Sequence, residues 1–333
     1  MHDVAEPPAG RVEPPADHAF EQGTRRRTVR VEQHDRRFDV VHRWHETPDG
    51  FARPELPGAL AALPEDGPFA FRAPDPGWRY RDVGALGVFN LLRAAEQGSD
   101  VLERAMAATG RALRIAHAQP AQGGPAAHAR LDRMRAIAVG APGLPAAAAR
   151  ERWRADLGAA RWDALGSALD DVAAAPRTWI LGDAAIAGLR WRPRAQLVVL
   201  VDGHAGPGVA AVDVGFLLGE LLELAVGARD DAPATAAGLR RAAVALLQTA
   251  GCTSERERRH VAAVAAWRPL LHAVDFCAYV GDAGDDDVVA GYGRLAAAVV
   301  DEASAVADEA SAVVHEASAS ADPASADAGT TGR

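Results

Sequence analysis

The order of apolar runs between residues 179 and 224 constrains this chain more than any other feature. Trp179, Ile180 and Leu181 form a short apolar run, cut off by Pro176 from the helical stretch before it. QLVVLV at 196–201 is almost wholly apolar, which predicts a strand buried on both faces. A Gly/Pro loop follows, and from Val214 to Val226 the residues are strongly apolar, as in a buried helix. The pattern is strand, loop, strand, loop, buried helix. One aspartate stands at each junction: Asp183 in Gly-Asp-Ala, Asp202 at the end of the second strand, and Asp213 at the head of the helix. Taken singly, Asp183 and the Asp202-Gly203 pair suit plain turns. Asp213 suits a helix N-cap.

Upstream, the chain changes character near residue 80. Residues 1–24 are rich in Pro, Ala and acidic residues and read as a disordered arm. The runs 28–32 and 37–44 are β-rich and could pair as a hairpin, within a reduced N-terminal region over 25–95. Helical spacing covers 81–96, 99–117, a segment around 131–137 and a long stretch over 146–175, with Trp153 and Trp162 as core anchors. More helices are expected at 234–249, 254–272 and 285–305, so 96–305 reads as one mostly helical body. The tail 306–333 repeats Glu-Ala-Ser-Ala with a period of about seven. Its apolar positions are mostly Ala, too small to drive a coiled coil, so it reads as a last-helix extension that frays by about Ser318.

Composition narrows the function. The formal net charge is -9, which argues against a general nucleic-acid binder. All 36 basic residues are arginine, so any mechanism that needs a lysine is closed. Two cysteines, Cys252 and Cys277, form neither a disulfide framework nor a zinc pattern, as expected of a reduced, cytoplasmic protein. The N-terminus lacks a signal layout and no apolar run approaches membrane-spanning length, so no membrane partner is expected. His204 alone reads as a surface histidine, and the acidic run 281–287 as a solvated loop without the closing Glu of an EF-hand. No Walker lysine motif, GxGxxG after a strand, HExxH or GxSxG is present.

The segments WILGDAAIAGLRW, VVLVDGHAGPG and VAAVDVGFLLGELLEL resemble the C-lobe of the aminoglycoside-phosphotransferase and choline-kinase family. There the pattern runs HGDxxxxN, a strand ending in Ile-Asp, and GDPxxD leading into a helix. GRALRIAH at 110–117 is similar to the family's helix ending in Leu-His. The resemblance implies a kinase-like α/β fold, rich in helix, with a reduced β-containing N-lobe and a mostly helical C-lobe. It implies ATP and Mg2+ as cofactors if the protein is active, and none otherwise. Asp183 matches the catalytic base, Asp202 the magnesium ligand, and Asp213 the structural aspartate that holds the catalytic loop. Arg43, on a predicted strand, could stand in for the missing lysine on the phosphates, as a wider fork.

Three departures accompany the match. Leu181 replaces the family's histidine, Gly188 replaces the asparagine that supplies a second metal oxygen, and no glycine-rich phosphate-covering loop is visible, Gly23 being the nearest glycine. Asp213-Val-Gly-Phe-Leu-Leu-Gly-Glu-Leu221 is similar to the same segment in the phosphotransferase-like proteins of class V lanthipeptide and thioamitide biosynthesis. That likeness implies a precursor (leader) peptide phosphorylated on Ser or Thr, and a lyase partner that eliminates the phosphate. Two alternatives stay open: a catalytically dead pseudokinase scaffold that binds a leader peptide or partner, and a small-molecule kinase that inactivates an antibiotic.

Overall fold

In a computed structural model of the chain, the described residues are 17–23, 27–34, 37–44, 56–64, 67–71, 78–80, 83, 87, 99–121, 127–144, 146–192, 196–201, 203–280 and 286–320. The N-terminal part carries β1 (Asp17–Gly23), β2 (Arg27–His34), β3 (Arg37–Trp44), the one-turn helix α1 (Gly58–Ala61), β4 (Phe69–Phe71) and β5 (Trp78–Tyr80). Strands β1, β2, β3 and β5 form an antiparallel sheet in that order. The alternation in 28–32 and 37–44 sets its register. Val31 lies opposite Val40, and both are buried with Tyr80 and Val83, while Arg79 bridges Glu32 at 2.7 Å and Asp39 at 3.1 Å. The expected hairpin is therefore present. The expected disordered arm is corrected at its end: β1 falls inside 1–24, because its backbone groups find a ladder on β2. Of the helical spacing at 81–96, only Val83 and Gly87 lie among the described residues, and Gly87 bridges to Arg190 as an isolated antiparallel pair.

The C-terminal part is mostly helical. It contains α2 (Ser99–His117), α3 (Ala129–Val139), α4 (Arg150–Leu157), α5 (Ala159–Ala173), β6 (Thr178–Ile180), β7 (Leu189–Arg192), β8 (Gln196–Val201), β9 (Gly206–Gly208), α6 (Ala210–Ala228), α7 (Pro233–Ala250), α8 (Glu255–Val280) and α9 (Asp286–Ser320). Strand β8, the expected buried strand, lies between β4 (parallel) and β7 (antiparallel), so one small sheet ties the two parts together. β6 pairs with β9 and brackets the Leu181–Gly182–Asp183 loop.

Helix α6 is the centre of the C-terminal part. Twelve of its residues are buried, among them Phe216, Leu217, Leu218, Leu221 and Leu222. It meets α8 at very short range. A Cβ on Gly215 would lie 2.6 Å from Val264 Cβ, and one on Gly219 2.7 Å from both Ala265 O and Arg268 Cβ. Two glycines one turn apart thus let the helix axes approach until backbone touches side chain.

Trp153 and Trp162 are buried, as expected of core anchors. Trp153 Nε1 donates to Val289 O at 2.8 Å, joining α4 to α9, and Trp162 meets Trp267 edge-on at 4.8 Å between centroids. Helix α9 continues to Ser320 and buries Val306 and Ala310, so the small alanine-rich stripe packs on the protein's own helices. Helix α8 is long and apolar enough over Glu255–Ala278 to cross a membrane on length and composition. Of its most apolar 18-residue stretch 67% is buried inside the protein, as in a core helix. Cys252 and Cys277 are both free thiols.

Candidate functional site

The buried carboxylate of Asp213 organises the site. Asp213 is 1% exposed and stands in the first turn of α6. It is not an N-cap: the cap position is Val209, four residues earlier. Its oxygens instead face the β6–β7 loop. Oδ2 accepts the Leu181 N–H and Oδ1 the Gly182 N–H, each at 2.8 Å, and His117 Nε2, at the end of α2, lies 3.0 Å from Oδ2. A carboxylate only accepts, so Nε2 carries the proton. Burying this charge would cost several kcal/mol without partners, and three donors supply them. Asp213 thus accepts from the loop's backbone at two successive residues.

Gly182 gives the loop its shape. Its φ is +71°, and a Cβ there would lie 2.2 Å from His204 O. The loop therefore turns in a left-handed conformation and presses onto the 203–205 turn. A second clamp acts at its far end: Ile186 N–H donates to Glu220 Oε2 at 2.7 Å. Glu220 is seven residues after Asp213, two turns along the same face of α6. Asp183 is carried between the clamps, with its side chain 24% exposed.

The carboxylate of Asp183 is paired with Arg130 Nη2, from the first turn of α3. Arg130 Nη1 also donates to Ala184 O at 3.2 Å, and its guanidinium carbon lies 3.4 Å from the centre of the Phe216 ring. Loop, α3 and α6 thus meet at one guanidinium.

No family model matches the chain, and no curated protein matches it. Solved structures do. An aminoglycoside phosphotransferase from Alicyclobacillus acidocaldarius shares 16% identity over 95% of this chain and 98% of its own, with a TM-score of 0.44. A macrolide 2'-phosphotransferase from Brachybacterium faecium shares 17% over 84% and 91%, at 0.45. A glucosamine kinase shares 16% over 87% and 77%, at 0.46.

A partly buried ionic network that the sequence did not point to runs between α6 and α8, with Arg268 beside Phe216. Arg268, in α8, reaches Glu220 Oε1 at 3.4 Å and is paired with Glu223. His272 Nδ1 lies 2.6 Å from Glu223 Oε1 and 3.0 Å from Arg268 Nη1, and its ring meets Tyr292 edge-on. Arg133, one turn after Arg130, is paired with Asp275. Burial, helped by the Arg268 charge, pushes the His272 imidazole down to about 4, and burial raises the Tyr292 phenol. Burial also lowers Arg268, a group that stays charged in proteins. The α6 residues 216, 220 and 223 and the α8 residues 268, 272 and 275 each follow i, i+4, i+7 spacing. Each set forms one stripe, and apart from the Arg268–His272 contact within α8 the pairings cross between helices.

The other expected site residues are less visible. Arg43 stands on β3 opposite Thr28, but its side chain lies outside the described parts. Asp202 lies outside the described residues. Gly188 ends a 3-10 turn, where no described atom lies within 4 Å of a notional Cβ. Among the described residues no three His, Cys, Asp or Glu side chains gather as a metal site. A cavity of about 180 Å3, lined by Ile137, Leu144, Trp153 and Val274, shares no residue with the surroundings of Asp183.

Proposed function

We propose that this chain is a phosphotransferase-type protein of kinase-like fold. The observation that carries the reading is the double clamp on the loop at 181–186. It presents one carboxylate, Asp183, from a loop fixed at Leu181, Gly182 and Ile186. Phosphoryl transfer asks little covalent chemistry of a protein and much positioning. In this reading Asp183 accepts the proton of an acceptor hydroxyl as its oxygen attacks phosphorus. ATP and Mg2+ are the cofactors it implies. The described residues do not complete a magnesium site: Asp183 is committed to Arg130, and Gly188 offers no oxygen from a side chain.

For the acceptor, we favour Ser or Thr hydroxyls of a ribosomal precursor peptide, with a partner lyase removing the phosphate. The support is the likeness of the Asp213–Leu221 run to phosphotransferase-like proteins of that chemistry. The scaffold reading has its own support in the Arg130–Asp183 pair, which occupies the carboxylate a base would need.

Calorimetry with Mg-ATP, followed by phosphate transfer to a Ser/Thr-rich precursor peptide, separates the readings. Mg-ATP binding, with transfer to the peptide lost in Asp183→Asn, is the expected result for the enzyme. Peptide binding with no nucleotide binding would establish the scaffold. Transfer to an aminoglycoside but not to the peptide would overturn the peptide acceptor. Gly188→Asn is a useful companion, since no described atom lies within 4 Å of a notional Cβ there. If the enzyme reading holds, this variant folds normally and binds Mg-ATP more tightly.

A further inference from the structure

We propose that Arg130 is an oxyanion-binding group: its guanidinium passes from Asp183 to a phosphate-class or carboxylate anion brought beside the loop, and this exchange frees the Asp183 carboxylate. The proposal deepens the phosphotransferase reading, on which only the source of the anion rests.

Three observations support it. First, Arg130 does not depend on Asp183 for its place. The Ala184 carbonyl accepts from Nη1 at 3.2 Å, and the Phe216 ring lies against the guanidinium face at 3.4 Å. A guanidinium fixed by a carbonyl and a ring keeps its position when the carboxylate leaves. That preorganisation is what a planar fork needs to take an oxyanion through two N–H groups. Second, the site is reachable. The side chains of Arg130 and Asp183 are 17% and 24% exposed, whereas Arg268, the other guanidinium near Phe216, is 9% exposed and locked between Glu220 and Glu223. Third, the neighbouring carboxylates are already neutralised. Glu220 and Glu223 are paired with Arg268, and Asp275 with Arg133. Among the described residues, the carboxylate paired with Arg130, and so the one an arriving anion displaces, is Asp183.

Competition gives the proposal opposite signs in two variants. The test is phosphate binding to the full chain at constant ionic strength, followed by 31P NMR line broadening, without nucleotide. Wild type is expected to bind weakly. Asp183→Asn removes the competitor and should bind inorganic phosphate about tenfold or more tighter, the scale of one charge-assisted hydrogen bond. Arg130→Gln should abolish binding in both backgrounds. Arg130→Lys keeps the charge and loses the fork, and should retain weaker binding, which guards against a folding defect in the glutamine variant. Arg133→Gln, one turn away, should change little.

Phosphate binding that is unchanged by Arg130→Gln would overturn the proposal. So would Asp183→Asn binding no tighter than wild type, or no binding in any variant. Acetate and inorganic triphosphate form the two further arms. Triphosphate far tighter than phosphate assigns the anion to a nucleotide tail, and acetate equal to phosphate assigns it to a group on the acceptor. No arm uses catalysis. Absence of ATP turnover would therefore sink the phosphotransferase reading alone, and loss of the Asp183–phosphate competition would sink this proposal alone.

Discussion

At the scale of single residues, Asp213 and Gly182 set the loop. Asp213→Asn keeps the shape but replaces one accepting oxygen with a donor, facing either the Leu181 or the Gly182 N–H. One buried N–H loses its acceptor, and the expected cost is about 1–3 kcal/mol. A lower urea midpoint with an unchanged m-value would confirm it, and an unchanged midpoint would mean the clamp carries no stability. Gly182→Ala meets two penalties at once, a left-handed φ and a Cβ 2.2 Å from His204 O. We expect a loss of about 2 kcal/mol or more. Asp183 and Asp213 could be read in the sequence because turn and helix-start chemistry is local. Even so, Asp213 works as a clamp inside the helix and not as its cap, a distinction only the three-dimensional partners reveal. Arg130, Glu220, Arg268 and His272 were not legible. Their partners lie tens of residues away, and an arginine among 36 carries no mark of the carboxylate it will meet.

At the scale of elements, the legible ones are those whose apolar pattern fixes both type and burial: β8, α6, and the β2–β3 hairpin. β4, β7 and β9 were missed because strands of three or four residues hold too few positions to show a period. The α6–α8 contact shows what an apolar pattern alone omits: Gly215 and Gly219 are the points where the two helices touch. They predict opposite outcomes for one substitution. Alanine in place of glycine gains about 1 kcal/mol of helix propensity. At Gly227, also in α6, no described atom lies within 4 Å of a notional Cβ, and Gly227→Ala should raise stability by up to that amount. At Gly219 the new methyl meets Ala265 O and Arg268 Cβ at 2.7 Å. Overpacking there costs about 1–3 kcal/mol and should outweigh the propensity gain. Thermal melts of the two variants should move in opposite directions. The Glu220 clamp has its own test in amide exchange. Glu220→Leu should speed exchange at Ile186, while Glu220→Gln, which keeps an acceptor, should preserve its protection.

At the scale of the whole molecule, three imidazoles whose protonation the fold disfavours tie stability to pH. His272 is pushed down to about 4, first by burial and then by Arg268. Burial, with Arg177 and Arg256 nearby, also lowers His128 and His260. In each case the folded state holds the imidazole neutral below the pH at which the unfolded chain, near 6.5, takes up a proton. The unfolded state therefore binds more protons in this window, and stability must fall as pH falls. For His272 the loss begins near 6.5 and is complete near 4, where the folded protein is protonated as well. Its side chain is 41% exposed, so solvent screens part of the effect. Glu223 against Nδ1 would favour the charged ring, but Arg268 already takes up that carboxylate and adds its own repulsion. Asp275, Glu220 and Tyr292 complete the surroundings. Asparagine at this position keeps an amide N–H where Nδ1 stands and does not titrate. His272→Asn should therefore match wild type near pH 7.5 and become the more stable of the two as the pH falls toward 5. Urea midpoints measured at both pH values decide the matter. Parallel losses in the two proteins would show that His272 is not the group that titrates, and would move the acid sensitivity to His128 and His260.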